Sequence, residues 1–161
     1  MPHKHWNLLR FLAVTACLLA ATVGVRAQVT RIPLPDNSSF PISEGVWVGD
    51  TYYLSGTGDR MAGKPGATTT EEQTVHALDA IKKALAAQKL TMGDVVMMHA
   101  YLAPDPATGG KCDFAGFMKG YTQYFGTKEQ PNKPARSAVQ VGALVFPGGL
   151  IEIEVMAARA K

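Results

Sequence analysis

Pro134-Ala135-Arg136-Ser137-Ala138-Val139 and, after the turn Pro147-Gly148-Gly149, Ile151-Glu152-Ile153-Glu154 carry most of what this chain says about its fold. The proline-marked loop gives way to a strand predicted over Ser137 to Leu144, and the second run predicts a last strand over Leu150 to Ala157. A strand alternates its side chains between two faces, so Ile151, Ile153 and Val155 share one face while Glu152, Glu154 and Met156 share the other. A lone arginine therefore stands where a loop becomes a strand, ahead of a strand with carboxylates on one side. The guanidinium is a planar fork that grips a carboxylate through two parallel hydrogen bonds. Arg136 and one of these glutamates, Glu152 or Glu154, are a candidate pair: one to hold a small organic acid, the other to position water beside it.

Working outward, Val46-Trp47-Val48 and Thr51 to Ser55 are β-rich runs split by Gly49-Asp50, a two-residue hairpin signal. Thr70-Glu71-Glu72-Gln73 reads as a capping box opening a long helix, with Val75, Leu78, Ile81 and Leu85 at helical spacing. Val95 to Leu102 is almost continuously apolar, as in a strand covered on both faces. Phe114, Phe117, Met118, Tyr121, Tyr124 and Phe125 form a second amphipathic helix whose aromatic stripe reads as core packing. The order β-β-α-β-α-β-β implies an α+β domain with one mixed sheet and two helices on one face. The other face, bearing Glu152, Glu154 and Met156, is left open for an oligomer to cover.

The N-terminus reads as a leader. Lys4 and Arg10 precede an apolar run from Phe11 to Val25, and Val25-Arg26-Ala27 fits a small-residue cleavage site. Residues 1–27 are thus expected to be a signal peptide cleaved after Ala27, making the protein periplasmic or secreted and free of the membrane afterwards. Residues 28–43 are Pro-bearing without a period and read as an extended segment, and 44–161 as one domain. Cleavage removes Lys4, Arg10 and Arg26 and leaves 13 basic residues against 13 acidic ones. A neutral domain lacks the basic footprint of a nucleic-acid binder. Cys112 is then the lone cysteine, so no internal disulfide can form. His76 and His99 have no partners at metal-ligand spacing, so no zinc site is expected, and no nucleophile elbow, P-loop or dinucleotide fingerprint appears.

The C-terminal stretch resembles the signature of the RidA/YjgF/UK114 family, also called reactive-intermediate deaminases or L-PSP-type endoribonucleases. Pro134 to Ser137 matches its arginine motif, Val139, Gly142 and Leu144 keep its spacing, and Ile151-Glu152-Ile153 closes it. Gly45, Gly49, Ser55-Gly56 and Lys89 to Val96 match upstream, so the resemblance runs from Pro41 to Arg159. It implies a chorismate-mutase-like fold, a homotrimer with clefts between subunits, no cofactor, and hydrolysis of enamine/imine acids to 2-keto acids and ammonia. In that frame Arg136 clamps the substrate carboxylate, Glu152 handles water, and Ser55 and Gly56 line the cleft. The chain departs from the family at three places. Ile42 stands where a tyrosine is usual, Ala138 where a cysteine is frequent, and Met118 where an asparagine is common. Ile42 and Ala138 would then make a more apolar pocket wall. A non-catalytic trimer that captures small carboxylates is the alternative. Ribonuclease activity, the family's other label, is disfavoured by the neutral charge.

Overall fold

The computed structural model of the protein describes residues 28–35, 38–59 and 68–159, so the leader expected over 1–27 lies outside it. Its elements are β1 (Val29–Pro33), β2 (Ser43–Val48), β3 (Thr51–Gly58), α1 (Thr70–Ala87), β4 (Val95–Leu102), α2 (Phe114–Tyr121), β5 (Ala135–Gln140) and β6 (Ile151–Ala158). The strands make one sheet in the order β1-β2-β3-β6-β4-β5. β4 and β5 run parallel, and every other pairing is antiparallel. The mixed α+β sheet expected from the sequence is present, with one further strand in front. Part of the segment read as an unpatterned lead-in, Val29–Pro33, pairs antiparallel with β2. This strand is short and mostly exposed, with only Ile32 turned partly into the core, so its pattern is faint.

The β2–β3 hairpin turns at Gly49-Asp50, with Gly49 at φ 59, a left-handed conformation that glycine adopts without a Cβ clash. β5 begins and ends earlier than the pattern suggested. The Val141 amide makes the final bond to β4, on the Leu102 carbonyl, and Val145 beyond it is 84% exposed.

β6 is central. Ile151, Ile153, Val155 and Ala157 are buried under the helices, as are Tyr52 and Leu54 of β3 and Met98, Ala100 and Leu102 of β4. Leu78, Ile81 and Leu85 of α1 are fully buried against them. Each such side chain contributes roughly 1.5–3 kcal/mol through the apolar area it removes from water. The alternate residues Met97, His99, Tyr101, Glu152, Glu154 and Met156 are only partly buried. The apolar run of β4 is thus covered on one face within the subunit, and the sheet has an open side.

α1 is capped one residue earlier than the sequence implied. The Thr69 hydroxyl accepts from the Glu72 amide at 3.2 Å, and the Glu72 carboxylate accepts from the Thr69 amide at 3.2 Å. Thr70, predicted as the cap, is buried and donates to Asp105 at 3.1 Å. The Thr69 hydroxyl, then the Thr68 and Thr69 amides, hold the Glu72 carboxyl below its ordinary pKa. Its contribution is therefore full above the unfolded pKa and is lost as pH falls through the folded one. At the other end, the Lys89 and Leu90 amides bond the Ala86 and Leu85 carbonyls in a Schellman pattern, with Lys89 at φ 60.

Tyr52 is fully buried and crosses the backbone of Gly45, where a Cβ would overlap its ring. Its hydroxyl has no hydrogen-bond partner among the described residues. Burial, followed by the nearby Glu44 charge, pushes its pKa up to about 12. Two substitutions should therefore act in opposite directions in urea unfolding. Thr69→Ala is expected to cost about 1 kcal/mol through the lost cap. Tyr52→Phe is expected to gain about 1 kcal/mol by removing an unpaired buried hydroxyl.

Candidate functional site

Arg136 is the second residue of β5 and pairs in register with Met98, which is fully buried under the helices. Its side chain therefore rises on the helix-covered face, where α2 meets it with an aromatic stripe. The guanidinium carbon lies 4.4 Å from the Tyr121 ring centroid, 5.0 Å from that of Phe117 and 5.9 Å from that of Phe114. One N–H points at the Met118 sulfur at 3.2 Å. The rings are themselves stepped along the helix, Phe114–Phe117 and Phe117–Tyr121 both with centroids 5.8 Å apart. Cation–π contact of this kind contributes about 0.5–2 kcal/mol and uses the face of the guanidinium, leaving its edges to donate. Among the described residues no carboxylate pairs with Arg136. Burial is the main cause raising the Tyr121 pKa, and the Arg136 charge opposes it. Ala138 follows on the same face, in register with buried Ala100 and packed against the core.

Glu152 stands on the opposite face. Its register partners are Tyr101 on β4 and Gly58 on β3. Beside it β3 bulges: Leu54 pairs with Val155 and Thr57 with Ile153, so Ser55 and Gly56 together oppose Glu154. The bulge brings the Gly56 backbone under the Glu152 carboxylate so closely that a Cβ on Gly56 would overlap it. Ser55 donates its hydroxyl to the Ser43 carbonyl at 2.8 Å. That bond ties it to the start of β2, just after Ile42, which is 50% exposed. The six sequence candidates thus fall into two groups, Arg136 with Ala138 and Glu152 with Gly56, Ser55 and Ile42. Arg136 is in line with Met98 and Val155, while Val139, Tyr101 and Glu152 line up three residues along. Their backbones are therefore about 10 Å apart along the strands and about 10 Å across them, on opposite faces. One subunit does not bring them to a common small ligand.

The match to known proteins is decided over this same region. The family model described as Endoribonuclease L-PSP matches residues 37–159. The chain belongs to this family. A RutC family protein of Saccharolobus solfataricus is 36% identical over 122 residues, covering 74% of this chain and 88% of that one. A RutC family protein of Pyrococcus horikoshii is 32% identical over 119 residues, covering 73% and 86%. Among solved structures, a Mycobacterium tuberculosis member of the YjgF/YER057c/UK114 family superposes with TM-score 0.64 at 27% identity, covering 82% of this chain and all of that one. A Thermotoga maritima protein described as a putative endoribonuclease superposes with TM-score 0.66 at 28% identity, covering 82% and 99%.

Within the L-PSP frame the chain also has polar groupings that its sequence did not disclose. The His99 ring Nδ1 lies 2.7 Å from Glu154 Oε1, and the Tyr101 hydroxyl donates to the same oxygen at 2.8 Å. That hydrogen bond is the leading cause raising the Tyr101 pKa. His76 of α1 pairs through Nδ1 with Asp59, which follows β3. Each pair joins residues far apart in the chain and depends on strand register or helix docking. The aromatic stripe was visible as a helical period, but its second role as the bed of Arg136 needed the packing of α2 over β5.

Gly56 supplies a test of the Glu152 corner. Gly56→Ala should fold and, in a crystal structure, show the Glu152 carboxylate displaced by more than about 1 Å, because a Cβ and the carboxylate cannot share that space. An unmoved carboxylate beside a shifted β3 would contradict this reading.

Proposed function

We propose that the protein hydrolyses enamine/imine forms of small amino acids to 2-keto acids and ammonia, at sites formed between copies of the chain in a trimer. The observation that carries the reading is the half-buried Arg136 guanidinium, bedded on three rings and unpaired with any described carboxylate. A cation so placed is a pre-formed carboxylate anchor, and holding a substrate in one orientation lowers the barrier to its reaction. Since Glu152 stands on the other face, the reaction needs the Glu152–Gly56–Ser55 corner of a neighbouring copy beside Arg136. There Glu152 would accept a proton from water as its oxygen bonds to the imine carbon. The C=N π pair moves to nitrogen, which takes that proton to give a carbinolamine; the new hydroxyl then gives its proton, through Glu152, to the same nitrogen as the C–N bond breaks with its electron pair on nitrogen, so ammonia departs as the C=O forms. Gly56, lacking a Cβ, leaves the space in which the Glu152 carboxylate lies.

Residues 1–27 read as a leader, and on that basis we place the activity in the periplasm or outside the cell. Ile42, Ala138 and Met118 are apolar where the family motif is polar, and this favours a second reading, a trimer that binds small carboxylates without chemistry. Ammonia release from enzymatically generated 2-aminoacrylate separates the two. Wild type should accelerate release, and Glu152→Gln should lower the rate on the order of 100-fold. Arg136→Ala should lower kcat/KM mainly through KM. Equal rates for all three proteins would defeat the deaminase reading. Tight keto-acid binding without acceleration would establish the second.

A further inference from the structure

We infer that Met118 is the specificity-determining residue of the Arg136 site, where it selects 2-imino acids with apolar side chains larger than a methyl group, a role that rests on the deaminase reading above for the nature of the ligand. The residue itself is picked out by contact. One Arg136 Nη1 N–H points at the Met118 sulfur at 3.2 Å. An acid held on the remaining edges of that guanidinium comes within reach of the thioether, whichever copy of the chain closes the site.

The surroundings of the anchor are set by α2. Phe114, Phe117, Met118 and Tyr121 form one stripe at helical spacing, and all four meet the Arg136 guanidinium. Phe117 and Tyr121 are buried and belong to the core. Phe114 and Met118 are the members of the stripe not sealed into it. Ala138, next on the same face of β5, brings only a methyl group. In a 2-imino acid two bonds separate the carboxylate carbon from the first side-chain atom. A substrate clamped by Arg136 thus places its side chain close to the groups around the guanidinium, and those that α2 supplies are rings and a thioether.

Selection follows from the difference between a thioether and a fully polar group. Methionine is unbranched and polarizable, so it packs against aliphatic chains of several shapes. Its sulfur is a weak acceptor and donates nothing. A polar side chain lying there gives up water and gains at most one weak bond, and a desolvated polar group without a partner is penalised. A basic side chain also meets the permanent charge of Arg136. One methylene in an apolar pocket changes kcat/KM by about 10–200-fold, so a wall of this kind discriminates strongly.

The test compares the 2-imino acids derived from leucine and asparagine, alike in shape and different in polarity, with the one derived from alanine. Each is generated by an amino-acid oxidase with catalase present. Wild type should show a kcat/KM for the leucine imine about 10-fold or more above that for either of the others. Met118→Asn should cut the leucine-to-asparagine ratio by about 10-fold or more. Met118→Leu, which keeps volume and polarity, should retain most of the preference. If Met118 only steadies the guanidinium, Met118→Asn lowers all three substrates by one factor, since each presents the same carboxylate, and the inference is overturned. Turnover without preference would overturn it too, while leaving the deaminase reading in place. If no imine is turned over, the deaminase reading fails, and calorimetry with the matching 2-keto acids decides the role of Met118. Binding of 4-methyl-2-oxopentanoate about 10-fold or more tighter than pyruvate, with the difference lost in Met118→Asn, supports it. Equal binding of the two keto acids, or none, overturns it.

Discussion

The two-residue alternation of β6 is the constraint on which the rest of the molecule depends. Ile151, Ile153, Val155 and Ala157 are sealed beneath α1 and its neighbours, and the same pleat turns Glu152, Glu154 and Met156 to the other side. A shift of one residue would bury two carboxylates and expose the core, so register is strongly specified. β6 lies between β3 and β4 and fixes the facing of both. The bulge at Ser55-Gly56, the His99–Glu154–Tyr101 cluster and the Met97–Met156 pair all follow from where its outward residues fall.

Against that background Arg136 is an outlier of chemistry. It is a permanent charge on the helix-covered face, half-buried and held by rings and a sulfur where an acid would be usual. Burying a charge without a counter-ion is costly unless a partner arrives. Cation–π contact offsets part of that cost and leaves a donor edge unfilled. The arrangement is suited to receiving an anion from outside the subunit.

Much of this was legible in the sequence because it rests on local pattern. The isoleucine–glutamate alternation, the Gly49-Asp50 hairpin and the apolar period of α1 each fixed an element and its face. β1 was not legible, since Val29–Pro33 buries only part of Ile32 and leaves almost no pattern. The cap moved from Thr70 to Thr69 because two adjacent threonines compete, and only packing decides which one goes inward to Asp105. The candidate site was half legible. Arg136 and Glu152 could be named from chemistry and motif, but their separation onto opposite faces required the parallel pairing of β5 with β4, which no local pattern reports. His99 with Glu154 and Asp59 with His76 are likewise pairings of distant segments.

The central claim is that Arg136 of one copy works with Glu152 of another. It is tested most directly by co-assembling Arg136→Ala subunits with Glu152→Gln subunits, each impaired alone, and measuring turnover at substrate concentrations well below KM. If the two residues serve one site across a boundary between copies, mixed assemblies contain sites with both native residues, and an equal mixture should recover about a quarter of wild-type deaminase activity. Mixed assemblies no more active than either parent would contradict the account.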